Sequence, residues 1–178
     1  KPIKEPVFVD KTTMNTIDMG LINCIFPDAK VLFVLRDPRD VCLSCFMQTM
    51  ATTPVTVNLL SWQGTINFYV QVMDWWLYIS KNMVMDYREI RYEDAVSSFD
   101  ATFKEAFEFI GLCWVPEVEK FHLGAAKKFI ASPSFHQVAQ PLYHSSLGRW
   151  QNYAGQFEGT PKEFLSLIKR LGYERETE

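Results

Sequence analysis

The sequence predicts an α/β fold, with a mostly parallel sheet and helices on both of its faces. Short apolar runs of strand length alternate along the chain with longer segments whose apolar residues recur at helical spacing. Strand, helix, strand, helix and strand in this order form a βαβ pattern, in which the strands pair in parallel. With 178 residues, 48% of them hydrophobic, the chain is long enough for one domain, residues 1–178, with a sizeable core.

Three segments are predicted as strands because they are short and rich in β-branched, aromatic or other apolar residues. They are residues 6–10, 30–35 and 84–92. The second is apolar after its first residue, which is typical of a central strand in a parallel sheet. Ligands of open parallel sheets bind beyond the carboxyl ends of the strands. The residues that follow these three segments are therefore the first candidates for a site.

Helices are predicted between and after the strands from apolar spacing and from capping residues. They cover residues 14–26, 38–50, 61–79, 98–110, 116–128 and a last segment from 161 onwards. Ser61 and Thr160 are predicted as N-caps, with Pro161 at the first helical position, and Gly111 is expected to end the fourth helix. Residues 130–156 are polar and too long for an idle connector.

Composition and charge exclude several classes of function. The formal net charge is −3 and the pI is about 5.7, so no global basic field favours nucleic acid or an anionic membrane. No apolar run reaches the ~18 residues that a transmembrane segment needs. The four cysteines lie in apolar segments without a dense framework, which favours a reducing compartment and a cytoplasmic location. The first six residues are too polar for a signal peptide, and from the start at Lys1 we expect a fragment or a chain trimmed at its N-terminus.

The stretch V-L-R-D-P-R-D-V-C-L-S, residues 34–44, puts a phosphate site at the end of the second strand. Asp37 can cap the helix that begins at Pro38, and the start of a helix carries a partial positive charge. Arg36 adds a full charge, and Ser44 lies about two helical turns further on. A helix N-terminus, a guanidinium and a hydroxyl together suit a phosphate.

A purely structural role for the same stretch stays open. In that alternative, Arg36 and Arg39 pair with Asp37 and Asp40 and stabilise the corner between strand and helix.

This stretch resembles the segment by which sulfotransferases bind the 3′-phosphate of 3′-phosphoadenosine 5′-phosphosulfate (PAPS). In that family an arginine at a strand end and a serine eight residues later hold the phosphate, which implies these roles for Arg36 and Ser44. F-V-D-K-T-T-M resembles the strand end that carries a lysine near the transferred sulfuryl group and implies a catalytic role for Lys11. I-R-Y-E-D resembles the strand end whose tyrosine lies by the adenine, which implies that role for Tyr92.

A fourth motif, F-H-Q-V-A-Q-P-L-Y-H-S-S-L-G-R-W at residues 135–150, resembles the late loop that closes over the nucleotide. The resemblance implies that Arg149 reaches the phosphates and that Gln137 and Val138 offer backbone groups to the nucleotide. It also implies a P-loop NTPase-like sheet, with PAPS as donor and adenosine 3′,5′-bisphosphate as product. The pattern is most similar to the bacterial sulfotransferases often fused to tetratricopeptide repeats, and more distantly to tyrosylprotein sulfotransferases.

The chain departs from the family at the 5′-phosphosulfate loop. Nothing in it matches the P-R-S-G-T-T type of segment, and it contains no G-x-x-x-x-G-K-[ST] either. The family places that loop before the region where this sequence starts, so we expect the C-terminal portion of a sulfotransferase domain. The acceptor, a hydroxyl or an amine, and the oligomeric state are not identified by the sequence.

The general base is also left open, with Asp10, His122, His136 and His144 as candidates. The pair Cys42-Leu-Ser-Cys45 lies inside a predicted amphipathic helix, where core packing is favoured over a metal or redox role. No metal cluster is expected. Two other interpretations remain: a nucleotide-kinase-like phosphotransferase, and a non-catalytic module that binds a nucleotide or a protein.

Overall fold

The structure, a computed structural model, describes residues 7–120 and 144–174. The chain divides into two compact units, each built from two separate stretches of sequence. The first unit comprises Lys1–Leu35 and Met83–His144, and the second comprises Arg36–Asn82 and Ser145–Glu178. Four residues named above, Gln137, Val138, His122 and His136, lie outside the described residues, as does most of the late loop.

The first unit contains a parallel pair of strands, as the βαβ pattern predicts. Strand β1 spans Val31–Leu35 and strand β2 spans Tyr87–Arg91, with Val31 opposite Tyr87 and Leu35 opposite Arg91. Both are shorter than predicted. The α/β class is confirmed by this mixture of helices with a parallel sheet, which within the described residues has two strands.

The strand predicted at residues 6–10 is wrong for its described part. Residues 7–10 have no regular structure, and the side chain of Phe8 is 92% exposed. An extended run becomes a strand only where its backbone N–H and C=O groups meet a partner strand. Among the described residues, β1 and β2 pair with each other alone. A high β-propensity alone is therefore not enough to make residues 7–10 a strand.

In the first unit, the helix predicted at residues 98–110 is close to the observed one, whereas the short helix directly after β2 was not predicted. Of the helix predicted at residues 116–128, only residues 116–120 are described, and they form a 3-10 helix. The predicted helix 14–26 is divided into a 3-10 helix at Thr13–Thr16 and helix α1 at Met19–Ile25. After β2 come helix α4 at Tyr92–Ser97, helix α5 at Phe99–Ile110 and a 3-10 helix at Pro116–Lys120. Helices α2, at Pro38–Met47, and α3, at Trp62–Ile79, precede them along the chain and belong to the second unit.

Helix α5 ends as its sequence predicts. Gly111 has a φ of +80°, and the N–H groups of Gly111 and Leu112 donate to carbonyl oxygens of the last helical turn. Only glycine adopts this left-handed conformation without strain. The core beneath the helix is formed by Ile90, Ala95 and Ala106.

The second unit is a helical packing around a small aromatic and aliphatic core. Its helices are α2 at Pro38–Met47, α3 at Trp62–Ile79, 3-10 helices at Thr56–Leu60 and Arg149–Phe157, and α6 at Lys162–Arg170. The core residues come from α2, α3 and α6: Cys42, Ile66, Phe164 and Ile168. Part of the polar stretch at residues 130–156 is thus helical, with a kink at Tyr153.

One of the two predicted serine or threonine caps is confirmed in this unit. The Ser61 hydroxyl accepts a hydrogen bond from the N–H of Gly64 at 3.1 Å, so Ser61 caps α3. The Thr160 cap is wrong, because its hydroxyl donates to the carbonyl oxygen of Phe157 and Pro161 occupies the N-cap position. Within residues 7–120 and 144–174, no helix combines the length and the apolar character that crossing a bilayer demands.

Candidate functional site

The corner between β1 and α2 is built as the sequence predicts. Strand β1 ends at Leu35, Arg36 and Asp37 connect, and α2 begins at Pro38. The Asp37 carboxylate accepts the backbone N–H of Arg39 at 2.9 Å and so caps the helix. Proline at the first helical position has a φ already suited to the helix and lacks an N–H that would have no helical partner.

Arg39 is bound into the structure of this corner. Its guanidinium donates two hydrogen bonds to the Asp37 carboxylate, at 2.9 and 2.7 Å, and a third to the carbonyl oxygen of Tyr173 at 2.9 Å. The same group lies 3.8 Å from the centre of the Trp150 ring. The side chains of Arg39 and Asp37 are only 13% and 12% exposed. The ion pair between Arg39 and Asp37, which the purely structural interpretation predicts, is therefore confirmed.

The Arg36 side chain is more exposed than that of Arg39. Its guanidinium donates to the carbonyl oxygen of Ser146, and the same nitrogen lies 3.5 Å from a carboxylate oxygen of Asp40. That separation is longer than the 2.7–3.2 Å typical of an N–H···O hydrogen bond. The Arg36 side chain is 21% exposed, whereas that of Asp40 is 1% exposed. The predicted pair of Arg36 with Asp40 is therefore present, although its N···O separation is long.

The Asp40 carboxylate joins the start of α2 to a segment more than 100 residues away. One of its oxygens accepts the N–H of Gly148 at 2.8 Å and the other accepts the N–H of Trp150 at 2.9 Å. Gly148 has a φ of +63°, a conformation that allows the chain to turn tightly there. Arg149 stands between these two residues and begins a 3-10 helix. Asp40 thus brings the segment that carries Arg149 to the corner that carries Arg36.

Ser44 lies in α2 four residues after Asp40, and residues four apart share one face of a helix. Two opposing effects act on the pKa of its neighbour Cys45. Burial raises the pKa of the Cys45 thiol, and the positive charge of Arg36 opposes that rise. Burial also raises the pKa of Cys42, which belongs to the core of the second unit. A thiol with a raised pKa stays protonated and unreactive.

Lys11 and Tyr92 belong to the first unit. Lys11 is exposed and stands just before the 3-10 helix at Thr13–Thr16. Tyr92 is half-buried and is the first residue of α4, directly after β2 ends at Arg91. The carboxyl ends of β1 and β2 meet at the same edge of the sheet. Tyr92 therefore follows the strand end that adjoins Leu35.

Comparison with known proteins decides the family. The model that describes the sulfotransferase family matches residues 1–116, which is well over half of the chain. The chain belongs to the sulfotransferase family. A relative among curated proteins is an uncharacterized protein of Aquifex aeolicus (strain VF5), 29% identical over 154 residues. That match covers 84% of this chain but only 20% of the relative, so the chain spans about a fifth of that protein's length.

The part of the chain that matches the sulfotransferase family contains Lys11, Arg36, Ser44 and Tyr92. Arg149 lies beyond the matched residues. Its connection to the matched part is therefore a finding of the structure, through the hydrogen bonds of Asp40 with its two neighbours.

Asp40 is the residue of this sulfotransferase corner that sequence reasoning missed. From the sequence, Asp40 is predicted only as an ion-pair partner of the two arginines at the corner, and its pair with Arg36 is present. Nothing local points to its bonds with Gly148 and Trp150, because those partners are 108 and 110 residues away. In the described parts of the chain, no group of three or more histidine, cysteine, aspartate or glutamate side chains is arranged to hold a metal ion.

Proposed function

We propose that this chain supplies the 3′-phosphate side of the donor site in a PAPS-dependent sulfotransferase. The reaction would transfer a sulfuryl group from PAPS to a hydroxyl or amine acceptor, with adenosine 3′,5′-bisphosphate as the other product. The observation that carries the proposal is the convergence of Arg36 and the Arg149 segment at the first turn of α2, where Asp40 holds both. Membership of the sulfotransferase family supports the reaction class.

The residues of the corner suit a phosphate dianion. Arg36 offers a planar guanidinium that can bind two phosphate oxygens at once, and Arg149 adds a second positive charge from the late segment. Ser44 adds a hydroxyl one helical turn after Asp40, which can donate to a phosphate oxygen. Tyr92 would contact the adenine. Fixing the 3′-phosphate and the base orients the donor without any covalent chemistry at these groups.

In the transfer itself, the acceptor oxygen or nitrogen forms a bond to sulfur as the bond between sulfur and the bridging phosphate oxygen breaks. The acceptor proton leaves to a base, for which Asp10 and three histidines are the candidates. Negative charge builds on the bridging oxygen, and Lys11 is proposed to stabilise it. Catalysis of this kind depends mainly on positioning and on charge stabilisation, as in phosphoryl transfer.

Calorimetric titration with three ligands tests the phosphate site directly. Adenosine 3′,5′-bisphosphate carries both phosphates, AMP lacks the 3′-phosphate, and adenosine 3′-monophosphate lacks the 5′-phosphate. We expect the 178-residue chain to bind the two 3′-phosphate ligands more tightly than AMP. A hydrogen bond to a charged group contributes about 1.5–3 kcal/mol. Arg36→Ala should therefore reduce this preference by about tenfold or more.

The matched control is Arg170→Ala. Arg170 lies in the same unit and pairs with Asp74 at 2.6 Å, but both side chains are 47% exposed and neither is part of the proposed site. This variant should bind all three ligands as the parent chain does. Equal affinity of the parent chain for AMP and for adenosine 3′,5′-bisphosphate would overturn the proposed site.

A non-catalytic nucleotide-binding module is a second candidate, and one observation favours it. The corner formed by Arg36, Asp40 and the segment of Arg149 suits a phosphate without containing a group that takes part in the transfer. The two candidates differ in turnover. Incubation with PAPS and a panel of phenol, sugar and amine acceptors, followed by mass spectrometry, should yield a product 80 Da heavier than its acceptor, about the mass of one sulfuryl group. Binding of adenosine 3′,5′-bisphosphate without any sulfated product would favour the non-catalytic module.

A further inference from the structure

The Asp40 carboxylate does more than balance the charge of Arg36. Asp40 is 2% exposed, which is uncommon for an aspartate unless its oxygens are well bonded. Its two oxygens accept one backbone N–H each, from Gly148 at 2.8 Å and from Trp150 at 2.9 Å. The weaker contact, at 3.5 Å, is the one with Arg36. The Asp40 carboxylate is therefore bonded more closely to Gly148 and Trp150 than to Arg36.

Only a carboxylate can make this pair of bonds. An ionised aspartate is an acceptor at both oxygens, whereas asparagine presents one acceptor and one donor. In Asp40→Asn, the amide nitrogen would face one of the two N–H groups, and that N–H would lose its partner. A buried N–H without a partner is costly, so the segment would have to move. The length of the side chain is kept in this variant, and the change is confined to hydrogen bonding.

We infer that Asp40 is a positioning residue for the phosphate site, which acts by holding residues 146–150 so that Arg149 and Arg36 contact the same phosphate. The inference rests on the proposed function. Two fixed points, the N–H groups on either side of Arg149, restrain the backbone of that residue. The carbonyl oxygen of Ser146 in the same segment accepts from Arg36, so the two cationic groups are restrained together.

The test combines ligand preference with backbone amide exchange. The 3′-phosphate preference is defined as the ratio of the dissociation constants for AMP and for adenosine 3′,5′-bisphosphate. In Asp40→Asn, we expect this preference to fall by about tenfold, the worth of one charge-assisted contact to phosphate. Hydrogen–deuterium exchange at the amides of Gly148 and Trp150 should become faster in the same variant. Arg36→Ala should also reduce the preference by about tenfold or more, while exchange at these two amides stays slow.

These outcomes separate the inference from the function beneath it. If Asp40→Asn speeds amide exchange but keeps the full 3′-phosphate preference, Asp40 is structural and the inference is overturned, while the proposed site stands. If exchange at Gly148 and Trp150 is unchanged, Asp40 does not hold the segment and the inference also fails. If the parent chain itself shows no preference for the 3′-phosphate, the proposed function fails first.

A second measurement covers the case in which Asp40→Asn does not fold. In the parent chain, saturating adenosine 3′,5′-bisphosphate should slow amide exchange in residues 146–150 severalfold, and AMP should not. A segment that contacts the 3′-phosphate gains protection from that ligand alone. Identical exchange rates with the two nucleotides would overturn the inference without any substitution.

Discussion

Arg39→Ala should destabilise the second unit strongly, although Arg39 is only three residues from the proposed ligand-binding arginine. The substitution removes two hydrogen bonds to Asp37, one to the carbonyl oxygen of Tyr173 and the contact with the Trp150 ring. It also leaves the carboxylate of Asp37, 12% exposed, without its positive partner.

The magnitude follows from the burial of this pair. Removing one partner of a buried ion pair costs about 3–5 kcal/mol, because the remaining charge stays desolvated. Arg170→Ala removes a geometrically similar pair whose side chains are 47% exposed, and such pairs contribute about 0–1 kcal/mol. The free energy of unfolding of a whole domain is about 5–15 kcal/mol, so the difference in stability between the two variants should be large.

Urea unfolding followed by tryptophan fluorescence is a suitable assay. Four of the five tryptophans lie in the second unit, so the signal comes mainly from the part that the substitution affects. We expect a much lower midpoint for Arg39→Ala than for Arg170→Ala, with Arg39→Lys in between because lysine cannot form the bidentate contact. If the two alanine variants unfolded at the same urea concentration, the corner would not depend on this ion pair and the reasoning would be refuted.

Three further predictions concern stability and reactivity. In Gly64→Ala, the new Cβ would lie 2.5 Å from a backbone oxygen of the preceding 3-10 helix, so urea unfolding should show a loss of about 1–3 kcal/mol. Burial holds the pKa of Tyr69 well above its usual value, so the unfolded state ionises first. Stability should therefore be full at pH 8 and fall as the pH rises past about 10; Tyr69→Phe should reduce that fall, and an equal fall would contradict the assignment. Iodoacetamide at pH 8 should label exposed Cys24 and Cys113 within minutes and buried Cys42 far more slowly, as peptide mass spectrometry would show.

The parts of the fold that could be predicted are those with local physical causes. The β1–α2 corner follows from an apolar run, a capping aspartate and a proline within a few residues. The start of α3 follows from Ser61, and the end of α5 follows from Gly111. Each signal acts within one helical turn, so no knowledge of the rest of the chain is needed to interpret it.

The parts that could not be predicted depend on distant partners. The apolar run at residues 7–9 has the composition of a strand, but strands need a neighbour and the described residues provide none there. Thr160 has the right residue type for a cap, yet its hydroxyl donates a hydrogen bond to the carbonyl oxygen of Phe157 instead. In the candidate site, Arg36 and its helix could be predicted, whereas the role of Asp40 required bonds across more than 100 residues.

The electrostatics of the corner explain why a buried aspartate can stand beside a proposed anion site. At an effective dielectric constant of about 20, two unit charges about 4 Å apart attract by ~4 kcal/mol, and two like charges about 6 Å apart repel by ~3 kcal/mol. A phosphate bound by Arg36 alone, next to Asp40, would therefore gain little net electrostatic free energy. The remaining attraction has to come from a second cation, and Arg149 is in the segment that Asp40 holds. Asp40 therefore weakens the attraction of Arg36 for a phosphate, but it also positions Arg149, which adds a second positive charge. The contributions of the two arginines to phosphate affinity then depend on each other, so the effects of their alanine substitutions should not be additive.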